Sequence, residues 1–144
     1  MMANKYDSLK LDNQICFPLY AVSKEIIRRY KPFLDEIDLT YTQYLAMMVM
    51  WEVKIICVKD LGQRLFLDSG TLTPVLKTLE KKGYVIRSRS KEDERILNVE
   101  ITPEGMELRN KAVDIPKKVG GCEQLEQEEV VQLYNILHKL MGQF

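Results

Sequence analysis

Cysteine and histidine are scarce: Cys16, Cys57 and Cys122 make an odd three with no C-x-x-C pair, and His138 is the lone histidine. That set cannot furnish zinc-type ligation, so neither a metal nor a bound cofactor is expected. Nor is it a disulfide framework, and a 144-residue chain needs none, because it buries about two thirds of its unfolded surface on its own. No apolar run is long enough to span a bilayer, and the opening Met-Met-Ala-Asn-Lys-Tyr-Asp has no signal-type apolar core. A reducing cytoplasm with no membrane partner is the expected setting. Net charge is also missing, since 21 Lys and Arg balance 21 Asp and Glu, so no global pull towards a polyanion exists.

What is present is the composition of one ordinary globular domain, 46% apolar and 29% charged. The charges are unevenly placed. Nine basic and six acidic residues lie between Lys59 and Arg95, whereas Glu123 to Phe144 holds four acids and one lysine. A basic middle against an acidic tail points to one surface that faces phosphate.

Apolar spacing of three to four predicts a helix from Leu11 to Tyr30, with Lys31-Pro32 disfavouring its continuation. Inside it, Pro18 is expected to cost the backbone bond to the Gln14 carbonyl. Thr40-Tyr41-Thr42-Gln43 reads as a capping box opening an apolar core helix, Tyr44 to Trp51. A short helix from Val58 to Phe66 follows, then turn residues, then a helix from Ser69 to Lys82 capped by Asp68. Its inward stripe is Leu72, Val75, Leu76 and Leu79, and Pro74 predicts a local distortion near Gly70. After Gly83, Tyr84 to Arg89 and Ile96 to Ile101 form a hairpin with a charged tip. Thr102-Pro103 starts a helix running towards Pro116, and a last helix spans about Glu123 to Met141.

Two short helices and a charged hairpin make a winged helix-turn-helix in a mainly α (α+β) domain. The second helix suits a major groove and the wing suits the adjacent minor groove or backbone. Ser69, Thr71, Thr73 and Lys77 stand on its polar side, and Arg87, Arg89, Lys91 and Arg95, with Lys81 and Lys82, are available to phosphate. Asp93, two residues before Arg95, can hold that guanidinium in place.

The runs Leu67-Asp68-Ser69-Gly70-Thr71-Leu72-Thr73-Pro74, Leu79-Glu80-Lys81-Lys82-Gly83-Tyr84-Val85 and Glu92-Asp93-Glu94-Arg95 resemble the MarR family of winged-helix regulators. Leu11 to Phe17, Leu39 to Leu45 and Lys111 to Pro116 narrow the likeness to the organic-hydroperoxide-sensing branch. The resemblance implies one domain in which residues 9–37 and 103–144 dimerise and 38–102 form the DNA-binding core. It implies a homodimer on a double-stranded pseudo-palindromic operator, and repression released by oxidation of Cys16. It further implies a sensor pocket of Tyr20 from the same chain with Tyr30 and Tyr41 from the partner.

The thiolate is the form that reacts with a peroxide, and one turn into a helix the N-terminal field favours that anion at Cys16. Cys57, between Ile56 and Val58, reads as buried packing. Cys122, after Gly120-Gly121, is a candidate resolving thiol, with a small cellular thiol as the other capping partner. No enzymatic activity is expected. The alternatives are a regulator of the same fold triggered by a small aromatic ligand, a thiol peroxidase using Cys16 and Cys122, and an interaction module that binds no duplex.

Overall fold

The computed structural model describes residues 4–144. Seven helices and three strands follow in the order α1 (Cys16–Asp35), α2 (Tyr41–Val53), β1 (Ile55–Cys57), α3 (Val58–Leu65), α4 (Ser69–Lys81), β2 (Val85–Arg89), β3 (Leu97–Ile101), α5 (Pro103–Ala112), α6 (Ile115–Val119) and α7 (Gln127–Met141).

The first helix differs from expectation at both ends. Two 3-10 turns, Asp7–Leu9 and Leu11–Asn13, precede it, so it begins at Cys16 rather than Leu11. Cys16 is therefore the first helical residue, not one turn in. Pro18 is consequently the third, where a backbone N–H has no intrahelical acceptor in any helix, and no hydrogen bond to Gln14 is sacrificed. At the other end α1 runs through Pro32 to Asp35, where Leu34 is anchored in the core. Tertiary burial there outweighs the local bias of Lys31-Pro32. The helix stops as Asp38 turns into a positive φ of 53°.

The Thr40 capping box forms: Gln43 N–H donates to Thr40 Oγ1 at 3.3 Å, and Thr40 N–H donates to Gln43 Oε1 at 3.1 Å. It opens α2, which buries Tyr44, Ala46, Met47, Val49 and Met50 and is the spine of the core. The helix after it ends on Phe66, in left-handed conformation. Asp68 then accepts from Thr71 N–H at 2.8 Å and starts α4. Leu72, Val75, Leu76 and Leu79 face inward as their spacing requires, and α4 continues unbroken across Pro74.

One strand was not foreseen. The order β1-β3-β2 places Ile55–Cys57 antiparallel to β3, with Ile56 opposite Val99. Three residues are too few for an alternating pattern to show. Cys57 is half-exposed rather than core, and its sulfur accepts from Asp60 N–H at 3.4 Å as the cap of α3.

The helix opened by Thr102-Pro103 ends at Ala112, and Asp114 restarts the chain as α6. Only Leu34 of α1 and no residue of α7 is buried, although both helices carry apolar rows.

Candidate nucleic-acid interface and sensor site

On α4, Ser69, Thr73 and Lys77 recur every four residues and share one line. Thr71, also exposed, lies at the far edge of the outward arc, against the cap. Between them Gly70, Pro74 and Lys81 occupy the middle of that arc and are exposed. The distortion that Pro74 predicts near Gly70 does not break the helix. On a groove-facing helix, small side chains there permit close backbone approach.

The wing is built as its tip predicted. Arg95 donates through Nε to Asp93 Oδ1 at 3.0 Å and through a terminal nitrogen to Oδ2 at 3.1 Å, while Arg95 N–H donates to the same carboxylate. These donors, the guanidinium first, hold the Asp93 carboxyl below its ordinary value, so it is ionised at neutral pH and available to the fork. Arg95 itself is 90% exposed and projects outward. Arg89 and Lys91 are exposed beside it.

Arg87 and Lys82 depart from the expectation that they face phosphate. Glu80 receives Arg87 N–H at 2.8 Å and its guanidinium at 3.2 Å, leaving the arginine side chain only 20% exposed. Those bonds, the backbone one foremost, hold the Glu80 carboxyl low. Arg87 thus fixes the wing to the recognition helix. Lys82 folds back onto the exposed Asp38.

The sensor candidates fall into two groups. Cys16 and Tyr20 are exposed and one helical turn apart on α1. Tyr30 lies fourteen residues beyond Cys16, about 21 Å along the same helix. Its ring meets Tyr41 edge-on at 5.1 Å, and both pack around Tyr44, a member of this cluster that sequence reading placed only in the core. Burial, then the neighbouring Tyr30, pushes the Tyr41 phenol above its ordinary value. Its hydroxyl therefore remains a hydrogen-bond donor throughout the physiological range. Cys122 is half-buried after Gly120 and Gly121, whose φ angles of 65° and 120° suit glycine, and Gly121 shares a small cleft with Ala21, Val22, Glu25, Ile26 and Arg29 of α1. Among the described residues no cluster of His, Cys, Asp and Glu could hold a metal, and no helix is long and apolar enough to cross a membrane.

A helix-turn-helix followed by a charged β2–β3 hairpin, with β1 from before it completing the sheet, defines the class of winged-helix transcriptional regulators. Residues 28–112 match the model of the transcriptional regulator SarA/Rot family. The organic hydroperoxide resistance transcriptional regulator of Bacillus subtilis is 47% identical over 140 residues, 97% of this chain and 95% of its own length. The HTH-type transcriptional regulator SarZ of Staphylococcus epidermidis is 44% identical over 131 residues, 91% of this chain and 88% of that one. AbfR, also of Staphylococcus epidermidis, has been solved reduced on DNA, with a TM-score of 0.76, 31% identity and coverage of 97% of this chain and 98% of that one. The chain belongs to the SarA/Rot group of MarR-type winged-helix transcriptional regulators, in the branch of the organic hydroperoxide resistance regulator.

Proposed function

We propose that the protein is a cytoplasmic, homodimeric repressor that leaves its operator when an organic hydroperoxide oxidises Cys16. The observation that carries this reading is the separation on α1: Cys16 is exposed at the helix start, and the Tyr30–Tyr41 pair stands about 21 Å away. A second copy packed antiparallel along α1 brings those phenols to the thiol. The names of the relatives support the same chemistry, since one is an organic hydroperoxide resistance transcriptional regulator and AbfR has been solved bound to DNA both reduced and overoxidised.

In the reaction the Cys16 thiolate attacks the terminal peroxide oxygen. The O–O bond breaks, sulfur gives up two electrons as the S–O bond forms, and the alkoxide leaves as an alcohol after taking a proton. The sulfenic acid then condenses with a second thiol, expelling water and forming S–S. Cys122 is the proposed resolving group, and AbfR has also been solved with its disulfide formed. Each oxidation is a signal rather than a turnover, so no enzymatic activity is assigned. Residues 9–37 and 103–144 form the dimerisation part and 38–102 the reading core. Ser69, Thr71, Thr73 and Lys77 enter the major groove, and Arg89, Lys91 and Arg95, the last steadied by Asp93, lie along the backbone or minor groove.

The test is an operator titration before and after cumene hydroperoxide with wild type, Cys16→Ser and Cys122→Ser. Oxidant should weaken wild-type binding by about 5- to 150-fold and leave Cys16→Ser unchanged. Cys122→Ser should still be released but form no dimer-linking disulfide on a non-reducing gel. Release of Cys16→Ser at the wild-type dose refutes the sensing role.

A further inference from the structure

At the corner between α1 and α2 the chain makes a left-handed turn at Asp38 and then enters the Thr40–Gln43 box that starts the helix carrying Tyr41. Lys82, the residue that terminates α4, reaches into this corner across 44 positions of sequence. Its ammonium donates to the Asp38 carbonyl, pairs with the Asp38 carboxylate at 3.1 Å, and lies 3.5 Å from Gln43 Oε1. That amide oxygen is the one that closes the capping box by accepting Thr40 N–H. The side chain of Lys82 is 24% exposed, so its stem lies against the molecule while its ammonium meets the exposed Asp38 at the surface. A single cation therefore joins the C-terminal end of the recognition helix to the first turn of the helix whose opening residue, Tyr41, packs against Tyr30.

We propose that Lys82 is the positioning residue that transmits the state of the Tyr30–Tyr41 cluster to α4, so that a shift of the α2 start on oxidation is carried into the recognition helix. The inference rests on the redox reading above. It follows from how few polar links cross between these elements. Apolar packing along the buried stripe of α4 tolerates small slides, whereas an ammonium held by two oxygens of one residue and facing a third fixes distance and direction at one end. A displaced α2 N-terminus must then either drag Lys82 or break its bonds, and dragging turns the helix in its groove.

The experiment compares Kd, reduced and after cumene hydroperoxide, for a fluorescent duplex selected from random sequence by the reduced wild-type protein. The readout is the ratio of the two values, with Cys16 oxidation in each variant verified by intact mass. Lys82→Met should lower that ratio by about three- to thirtyfold, and Lys82→Arg should restore most of it. Any phosphate contact made by Lys82 would shift both affinities and cancel in the ratio. Asp38→Asn, which removes the ion pair but keeps the carbonyl acceptor, should lower the ratio by a smaller factor and serves if Lys82→Met does not fold. A wild-type ratio in Lys82→Met, or in Asp38→Asn where the former is unfolded, overturns the coupling role while leaving the redox reading intact. A wild type that oxidant does not release, or a Cys16→Ser variant released like wild type, overturns both.

Discussion

Replacing Leu137 by glutamate is expected to leave a chain that sediments as a monomer and binds its operator about 100-fold more weakly or worse. Val130, Leu133, Leu137 and Leu140 recur along α7 at three- and four-residue steps, yet no residue of that helix is buried within one chain. A fifteen-residue helix is marginal in water unless its apolar face is covered. The N-terminal half of α1 shows the same condition, with Phe17, Leu19 and Val22, and Ile15 just before them, all exposed. Two unpartnered faces on one chain are satisfied together by a two-fold pairing, and a carboxylate at its centre would have to be desolvated without a counter-charge. Affinity falls with pairing because each winged unit reads one half-site, and the second contact is strong only when tethered to the first. Sedimentation velocity and operator titration on the same sample check the result. A dimeric Leu137→Glu protein with unchanged affinity contradicts the proposed interface.

Gly105→Ala is expected to destabilise the fold by about 3 kcal/mol, read from urea unfolding at fixed protein concentration. A Cβ built there collides with the Tyr84 carbonyl oxygen and meets Ile101 Cγ1 at 2.8 Å. The first obstacle is backbone at the root of the wing, which cannot rotate away. Gly105 also receives the Trp51 indole N–H at 2.8 Å on its carbonyl and donates its own N–H to Thr102 Oγ1 at 3.0 Å. The start of α5 is thereby locked to α2 and the hairpin at once, and displacement disturbs both attachments. An alanine variant as stable as wild type would mean that α5 can back away from the wing without loss.

Much of this architecture was readable in the residues. The Thr40–Gln43 box, the Asp68 cap, the inward stripe of α4, the Asp93–Arg95 fork and the Thr102-Pro103 start depend on chemistry within a few positions, and all appear as expected. What escaped depends on distant partners. The extension of α1 through Pro32 follows from burying Leu34, and β1 exists only because β3 lies beside it. Arg87 and Lys82 read as free cations because their carboxylate partners, Glu80 and Asp38, are brought to them by the fold. Tyr44 joins the aromatic cluster for the same reason, since spacing along α2 marks it only as an inward residue.

The internal ion pairs also limit how the protein responds to ionic strength. Of the nine cations between Lys59 and Arg95, Arg64, Lys82, Arg87 and Arg95 already have carboxylate partners in the fold. Among the described residues this leaves Lys59, Lys77, Lys81, Arg89 and Lys91 outside any ion pair. If two copies set all of these and the exposed wing residue Arg95 against phosphates, about twelve condensed counterions leave the duplex on binding, and a logarithmic plot of affinity against salt falls with a slope no steeper than about −11. The chain's electroneutrality is thus partly a device of recognition: cations fastened to its own carboxylates add little to indiscriminate attraction for DNA, so more of the discrimination rests on groove contacts.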